Sequence, residues 1–281
     1  MIFSIEYIIL LMFIGVFAGI SSGLLGVGGG FLMVPLQFFL LTSTGIDTDL
    51  ALRISLGTSL AIIIPTSLAG AYTHQNRLKK IIKPGIILGI FGMLGGVLGG
   101  ITSSLLPAAI LQSILGIFLA LISIYMVANK DSEKQSSKLK FSMVIGAILG
   151  VSIGFSSGLL GIGGGILLVP ALIFFLGFSI KESIGISSIF IFLTAIGGTA
   201  SYILTGLKIN TLPYYLGYIS LINFGIIAIF SIPMAYLGAK LVYRSPEKLL
   251  KLIFAILMFF IGIKLLGLDP IGYIGHLIVN S

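Results

Sequence analysis

Residues 15–35 read GVFAGISSGLLGVGGGFLMVP, and residues 150–170 read GVSIGFSSGLLGIGGGILLVP. At an offset of 135 the two stretches agree at fifteen of twenty-one positions. Each is an apolar run, a serine pair (Ser21 and Ser22; Ser156 and Ser157), a glycine-rich break and a second apolar run that reaches a proline. The breaks hold Gly23, Gly26, Gly28, Gly29 and Gly30 in the first copy, and Gly158, Gly161, Gly163, Gly164 and Gly165 in the second. Three glycines in a row do not continue a helix, because each costs about 1 kcal/mol relative to alanine. The pattern predicts a hydrophobic helix interrupted in its middle, once in each half. Interrupted apolar segments in corresponding positions of two halves point to the binding site of a transporter.

The composition fixes the solvent in which these breaks sit. Of 281 residues, 57% are hydrophobic and 9% charged, with a mean hydropathy of +1.21; an ordinary soluble chain carries about 25% charged residues. Apolar stretches of about 20 residues, enough to cross a bilayer as helix, recur along nearly the whole length. The fold class is therefore an all-α, polytopic transmembrane helical bundle with the lipid bilayer as its surroundings. A membrane β-barrel would need short alternating strands, and these runs are continuous. The net charge of +8 follows from basic residues gathered in cytoplasmic loops; no basic stretch is interleaved with aromatics, so nucleic acid is not an expected partner. The absence of cysteine removes disulfides, zinc–thiolate sites, iron–sulfur clusters and thiol catalysis, and no cofactor or metal is expected. The start, MIFSIE, lacks the basic region of a signal peptide, so the first apolar segment is expected to remain in the protein.

Taken in order, the chain predicts a broken segment from about residue 5 to 41 and a polar loop with Asp47 and Asp49. A helix over 51–74 follows, then a basic loop (Arg77, Lys79, Lys80, Lys83). Pro84 suits a first helical position and opens a helix to about 104; another runs over 108–128. The hydrophilic linker 129–140 divides a first repeat, 1–128, from a second, 141–281. The second opens with a broken segment over 141–178, followed by helices over 183–205, about 213–241 with a bend near Pro233, and one ending near 266. A short tail closes the chain.

Counting basic residues orients this plan. If every unbroken helix crosses once and each broken segment returns to its own side, the cytoplasmic loops collect thirteen of the sixteen Lys and Arg, leaving Arg53, Lys208 and Lys264 outside. An odd number of crossings would put the basic turn at 240–251 outside, against the positive-inside rule. The halves are therefore expected to be inverted-topology repeats, each opening with a glycine-broken hairpin, with both termini external. The short second limbs favour hairpins whose tips lie within the bilayer, where irregular backbone is tolerated only if protein buries it or it lines a cavity.

The chemistry such tips offer is that of free amides. GVGGG before FLMVP places unpaired backbone N–H groups at a helix start, and glycine lets a ligand approach closely. A helix N-terminus carries about half a positive charge and binds anions without Lys or Arg. With hydroxyls from Ser21, Ser22, Ser156 and Ser157, two facing tips would make an uncharged pocket for a small oxyanion. Thr58 and Ser59, with Ser187 and Ser188, occupy similar places in the helices after the breaks; they complete the site or bond their own helix. Gly89, Gly92, Gly95, Gly96, Gly99 and Gly100 read as a packing face. Asn223 reads as interhelical glue or as a ligand, Arg53 as an ion-pair partner of Asp49, a snorkelling side chain or an anion gate, and His74 as an interfacial histidine. His276, in the tail, is uninformative. Without a His, Asp, Glu or Cys set inside the bilayer, an intramembrane enzyme is not expected. A passive anion channel or a non-transporting scaffold are the alternative readings.

The paired SGLLGxGGGxLxVP segments, the inverted layout and the stretch TSLAIIIPTSLAGAYTHQNRLK resemble the sulfite exporter TauE/SafE family of bacterial inner-membrane transporters over roughly residues 5–266. That resemblance implies transport of sulfite or organosulfonates, mostly outward, by a multi-pass protein of the inner membrane. The family's glycine motifs fall on Gly23, Gly26, Gly28, Gly29, Gly30 and Pro35, and on Gly158, Gly161, Gly163, Gly164, Gly165 and Pro170. After the second break ISSIFIFLTAIGG stands where the first half has ISLGTSLAIIIPTS, so the two halves need not contact a ligand equally. The sequence leaves the oligomeric state open, a homodimer among the alternatives.

Overall fold

The computed structural model describes residues 4–72, 78–128, 141–207, 213–241 and 247–267. His74, Arg77, the linker 129–140, Lys208, Arg244 and the tail with His276 lie outside the described residues. The elements are α1 (Ile5–Leu25), α2 (Gly30–Ser43), α3 (Thr48–Tyr72), α4 (Leu78–Leu105), α5 (Ala108–Ala128), α6 (Met143–Leu160), α7 (Gly165–Phe174) and α8 (Ile180–Gly206). After them come β1 (Tyr215–Leu216), β2 (Ile219–Ser220), α9 (Leu221–Leu241) and α10 (Glu247–Leu265). Among the described residues seven helices are long and apolar enough to cross a membrane: α1, α3, α4, α5, α6, α8 and α9. The 14 residues of α2 and the 10 of α7 fall short of the roughly 20 that a span needs.

The helix starts follow ordinary capping chemistry. The Ser4 and Ser142 hydroxyls accept from the N–H groups of Tyr7 and Ile145, and Ser179 with Glu182 forms a capping box at the start of α8, satisfying donors that a helix start leaves open. Two boundaries differ from the expectation. Pro84 does not open a helix; it lies in the second turn of α4, which starts at Leu78. A membrane helix tolerates such a proline because neighbouring groups re-satisfy the freed backbone. Residues 213–220 are not the start of α9 but hold a small antiparallel hairpin, Tyr215 opposite Ser220 and Leu216 opposite Ile219. Its turn uses Gly217 at φ 58°, and its aromatic and β-branched residues suit a strand.

One compact unit comprises α1–α4 with α6–α9 and the hairpin. Its helices approach at glycine. Gly15, Gly19 and Gly23 of α1 face Ile227, Ser231 and Ala235 of α9 in that order, so the two helices run parallel. Gly150, Gly154 and Gly158 of α6 face Leu88, Gly92 and Gly96 of α4, also in parallel. By contrast α3 and α8 are antiparallel: Gly57 lies beside Tyr202, Leu60 beside Gly198, and Gly70 near Ser188. Without side chains at these positions, backbones touch and dispersion supplies the association that lipid cannot. The glycines of α4 from Gly89 to Gly100 all lie against α6 or α8, as a packing face requires. A second unit comprises α5 and α10. They cross at Gly116 and Gly262, where a Cβ on either would lie 2.8 Å from the other's carbonyl oxygen.

Arg53 has a structural post. Its Nη1 donates to the Ser103 carbonyl at 2.8 Å, and its Nη2 to the Leu106 carbonyl at 3.0 Å and to Asp49 Oδ2 at 3.2 Å. The guanidinium thus closes the open carbonyl end of α4, where a cation is favoured by about 0.3–1 kcal/mol. The i, i+4 pair with Asp49 is one part of that arrangement.

Candidate functional site

The helix breaks fall where the glycines predict. Gly26 and Gly161 end α1 and α6 in the left-handed region at φ 64° and 67°. Gly28 and Gly29 follow at 84° and 73°, and Gly163 and Gly164 at 88° and 78°. The two links therefore share one backbone path, and a side chain there would cost about 1–2 kcal/mol per position. Both links are buried.

They also meet. A Cβ on Gly30 would lie 2.7 Å from the carbonyl oxygens of Gly161 and Ile162, and one on Gly165 would lie 2.6 Å from the carbonyl oxygen of Gly26. The starts of α2 and α7 are thus brought to one point. Among the described residues, no backbone acceptor takes the N–H of Gly28, Gly29, Gly30, Gly163, Gly164 or Gly165. The hinge carbonyls are accounted for differently. Ser59 Oγ donates to the Gly161 carbonyl at 2.9 Å and Ser187 Oγ to the Gly26 carbonyl at 2.7 Å, so each half ties down the hinge of the other. The hydroxyls engage the carbonyls, and among the described residues the amides of each link are left without a backbone acceptor.

The remaining predicted residues sort by what they touch. Ser157 is 1% exposed and its hydroxyl has no partner among the described residues; it stands beside Gly164, whose added Cβ would be 3.2 Å from the serine Cβ. Ser22 is buried one turn before Gly26, whose N–H bonds its carbonyl at 2.9 Å. Ser21 bonds the Phe17 and Ala18 carbonyls, Ser156 the Ser152 carbonyl and Ser188 the Ile184 carbonyl, all within their own helices. Thr58 accepts from the Ser220 N–H at 3.0 Å, which ties α3 to β2. Gly23 and Gly158 lie in the α1–α9 and α4–α6 seams, not at the meeting point.

Sequence reasoning missed two residues there. A Cβ on Gly28 or on Gly163 would lie 3.2 Å from Ile191 Cγ2, and Ile63 comes within 3.5 Å of the first and 3.2 Å of the second. Ile63 and Ile191 are 0% and 1% exposed. Their signal was register: 128 residues apart, they match as Ser59 and Ser187 do.

Replacing Ser59 or Ser187 with alanine should leave a buried carbonyl without its donor. A loss of about 1–2 kcal/mol each is expected, with the double variant near the sum. Circular-dichroism melts in detergent check this, and an unchanged midpoint in both single variants would remove the tether role.

Comparison with known proteins agrees with a membrane transporter. A family model described as "Sulfite exporter TauE/SafE" matches residues 11–265. A probable membrane transporter protein of Methanocaldococcus jannaschii is 31% identical over 262 residues, covering 92% of this chain and 94% of that protein. One of Haemophilus influenzae is 32% identical over 266 residues, covering 92% and 98%. No solved structure matches the chain.

Proposed function

The chain belongs to the sulfite exporter TauE/SafE family, and on that premise we propose that it carries small sulfur-containing oxyanions, sulfite or organosulfonates, out of the cell by alternating access. The observation that carries the reading is the convergence of two glycine links whose six amides have no backbone acceptor. Brought to one point, the starts of α2 and α7 offer partial positive charge and N–H donors without a cation. The unpartnered Ser157 hydroxyl supplies a further donor. Ile63 and Ile191 lie against the same glycines, so an anion reaches the amides only when the links part.

The two halves act as inverted repeats across this point, each with a glycine-broken hairpin whose tip lies in the membrane. The antiparallel α3 and α8 support that layout, because an odd number of crossings in each broken segment would make them parallel. Both termini then face outward from the inner membrane of a bacterial cell.

No carboxylate falls within the glycine links to carry a coupling proton. An anion leaving a cell that is negative inside gains about 2.3 kcal/mol per charge per 100 mV, so export runs on the potential. In proteoliposomes with an imposed potential, sulfite efflux is expected to saturate with concentration and to rise as the interior becomes more negative. Flux indifferent to voltage would overturn potential-driven export, and flux that never saturates would identify a channel.

A further inference from the structure

A buried polar cluster lies away from the glycine links, between the first turns of α1 and α9 and the middle of α2. Tyr7 Oη donates to Asn223 Oδ1 at 2.8 Å, and Asn223 Nδ2 donates to Gln37 Oε1 at 3.4 Å. Asn223 is 1% exposed and Gln37 0%. This chain of bonds consumes the acceptor of Gln37 and leaves its donor end over: among the described residues Nε2 has no partner. A buried amide nitrogen without an acceptor is costly, and such groups in native proteins mark a held water or a functional role. The bonded groups are all neutral, so what the cluster offers is N–H donation without charge, the chemistry of the glycine links over again.

Its position connects it to them. Gln37 is seven residues beyond Gly30, two turns along the same face of α2 and about 10 Å further on the axis. At Gly30 that face lies against the carbonyls of Gly161 and Ile162. Helical side chains lean back toward the helix start, which brings the amide nearer the link than its Cα. The corresponding residue of α7, at the offset of 135, is Leu172, buried and apolar. Of the two short helices, only α2 therefore carries a side-chain amide at this position.

We propose that Gln37, oriented by Asn223 and Tyr7, is a second binding station for an oxygen of the transported oxyanion, reached from the glycine links along α2. This rests on the oxyanion-transport reading above. The ligand class is a small anion with at least one free oxygen acceptor; a cation finds no carboxylate in the cluster, and an apolar solute leaves Nε2 unpaired.

The test uses the full chain in detergent, labelled with 15N at its four glutamines (Gln37, Gln75, Gln112, Gln135). The Gln37→Leu variant assigns the resonance, and sulfite is the titrant. The Gln37 side-chain NH2 signal is expected to shift saturably with sulfite. In proteoliposomes, Gln37→Leu should raise the sulfite concentration for half-maximal flux about tenfold, the loss of one hydrogen bond to a charged ligand. Gln37→Glu, which keeps the shape but adds a charge, should raise it further. A resonance that stays put while the protein transports sulfite would mean a held water only and would overturn the station. A lower melting point in Gln37→Leu with unchanged half-saturation would overturn it equally. If the protein carries no sulfite at all, the transport reading falls by itself: a saturable shift would then still place an anion at Gln37, and no shift would dispose of both.

Discussion

Replacing Gly163 with valine is expected to lower sulfite flux by about a hundredfold while the protein still inserts and purifies as a folded species. The backbone at Gly163 has φ 88°, a region costly to any L side chain and worst for a β-branched one. The added Cβ would also lie 3.2 Å from both Ile191 Cγ2 and Ile63 Cδ1. These are side chains, so the neighbourhood can give a little, and the damage concentrates in the shape of the link and in the approach to its amides. Strain and crowding of about 3 kcal/mol correspond to roughly that loss. Gly28→Val should act similarly, because its φ is 84° and it touches the same two isoleucines. Size-exclusion profiles and flux in proteoliposomes check the pair, and near-normal flux through either variant would mean the links do not form the passage.

Gly158→Leu should fail differently, by losing the fold. A Cβ at Gly158 would overlap the Gly96 carbonyl oxygen, and the nearest atoms are backbone, which cannot rotate aside. The α4–α6 seam would have to open along its length, at a cost above about 3 kcal/mol. The Tyr202 hydroxyl, which bonds Ser103 Oγ at 2.8 Å and the Gly158 carbonyl at 3.1 Å, would be displaced with it. Little folded protein should be recovered from membranes. Gly225→Leu is the control, since a Cβ there meets nothing within 4 Å among the described residues; it should express and melt like the parent. Equal recovery of the two variants would remove the close-packing argument.

These contrasts explain how much was legible in advance. The breaks, the helix over 108–128 and the packing role of the α4 glycines were readable because glycine runs and long apolar stretches have few other physical uses. The hairpin at 213–220 was not, because PYYLGYIS continues an apolar stretch and length alone does not tell strand from helix there. The roles of Ser59 and Ser187 were open because a hydroxyl in a membrane helix can bond its own carbonyl or another chain segment. Register against the opposite link decided between them, and register is a property of the folded molecule. Gln37 carries a legible signal, a lone amide in the apolar run FLMVPLQFFLL; polar groups in such runs are functional candidates by default.

The pairing of α1 with α9 sets a schedule for biosynthesis. Gly15 and its neighbour Ile227 are 212 residues apart, and ribosomes add about 5–20 residues per second. Helix α1 therefore waits roughly 10–40 s for its companion to be made. Throughout that interval its notched face meets lipid or an insertion factor. Chains cut short before α9 would keep bare the face that Gly15, Gly19 and Gly23 present to Ile227, Ser231 and Ala235.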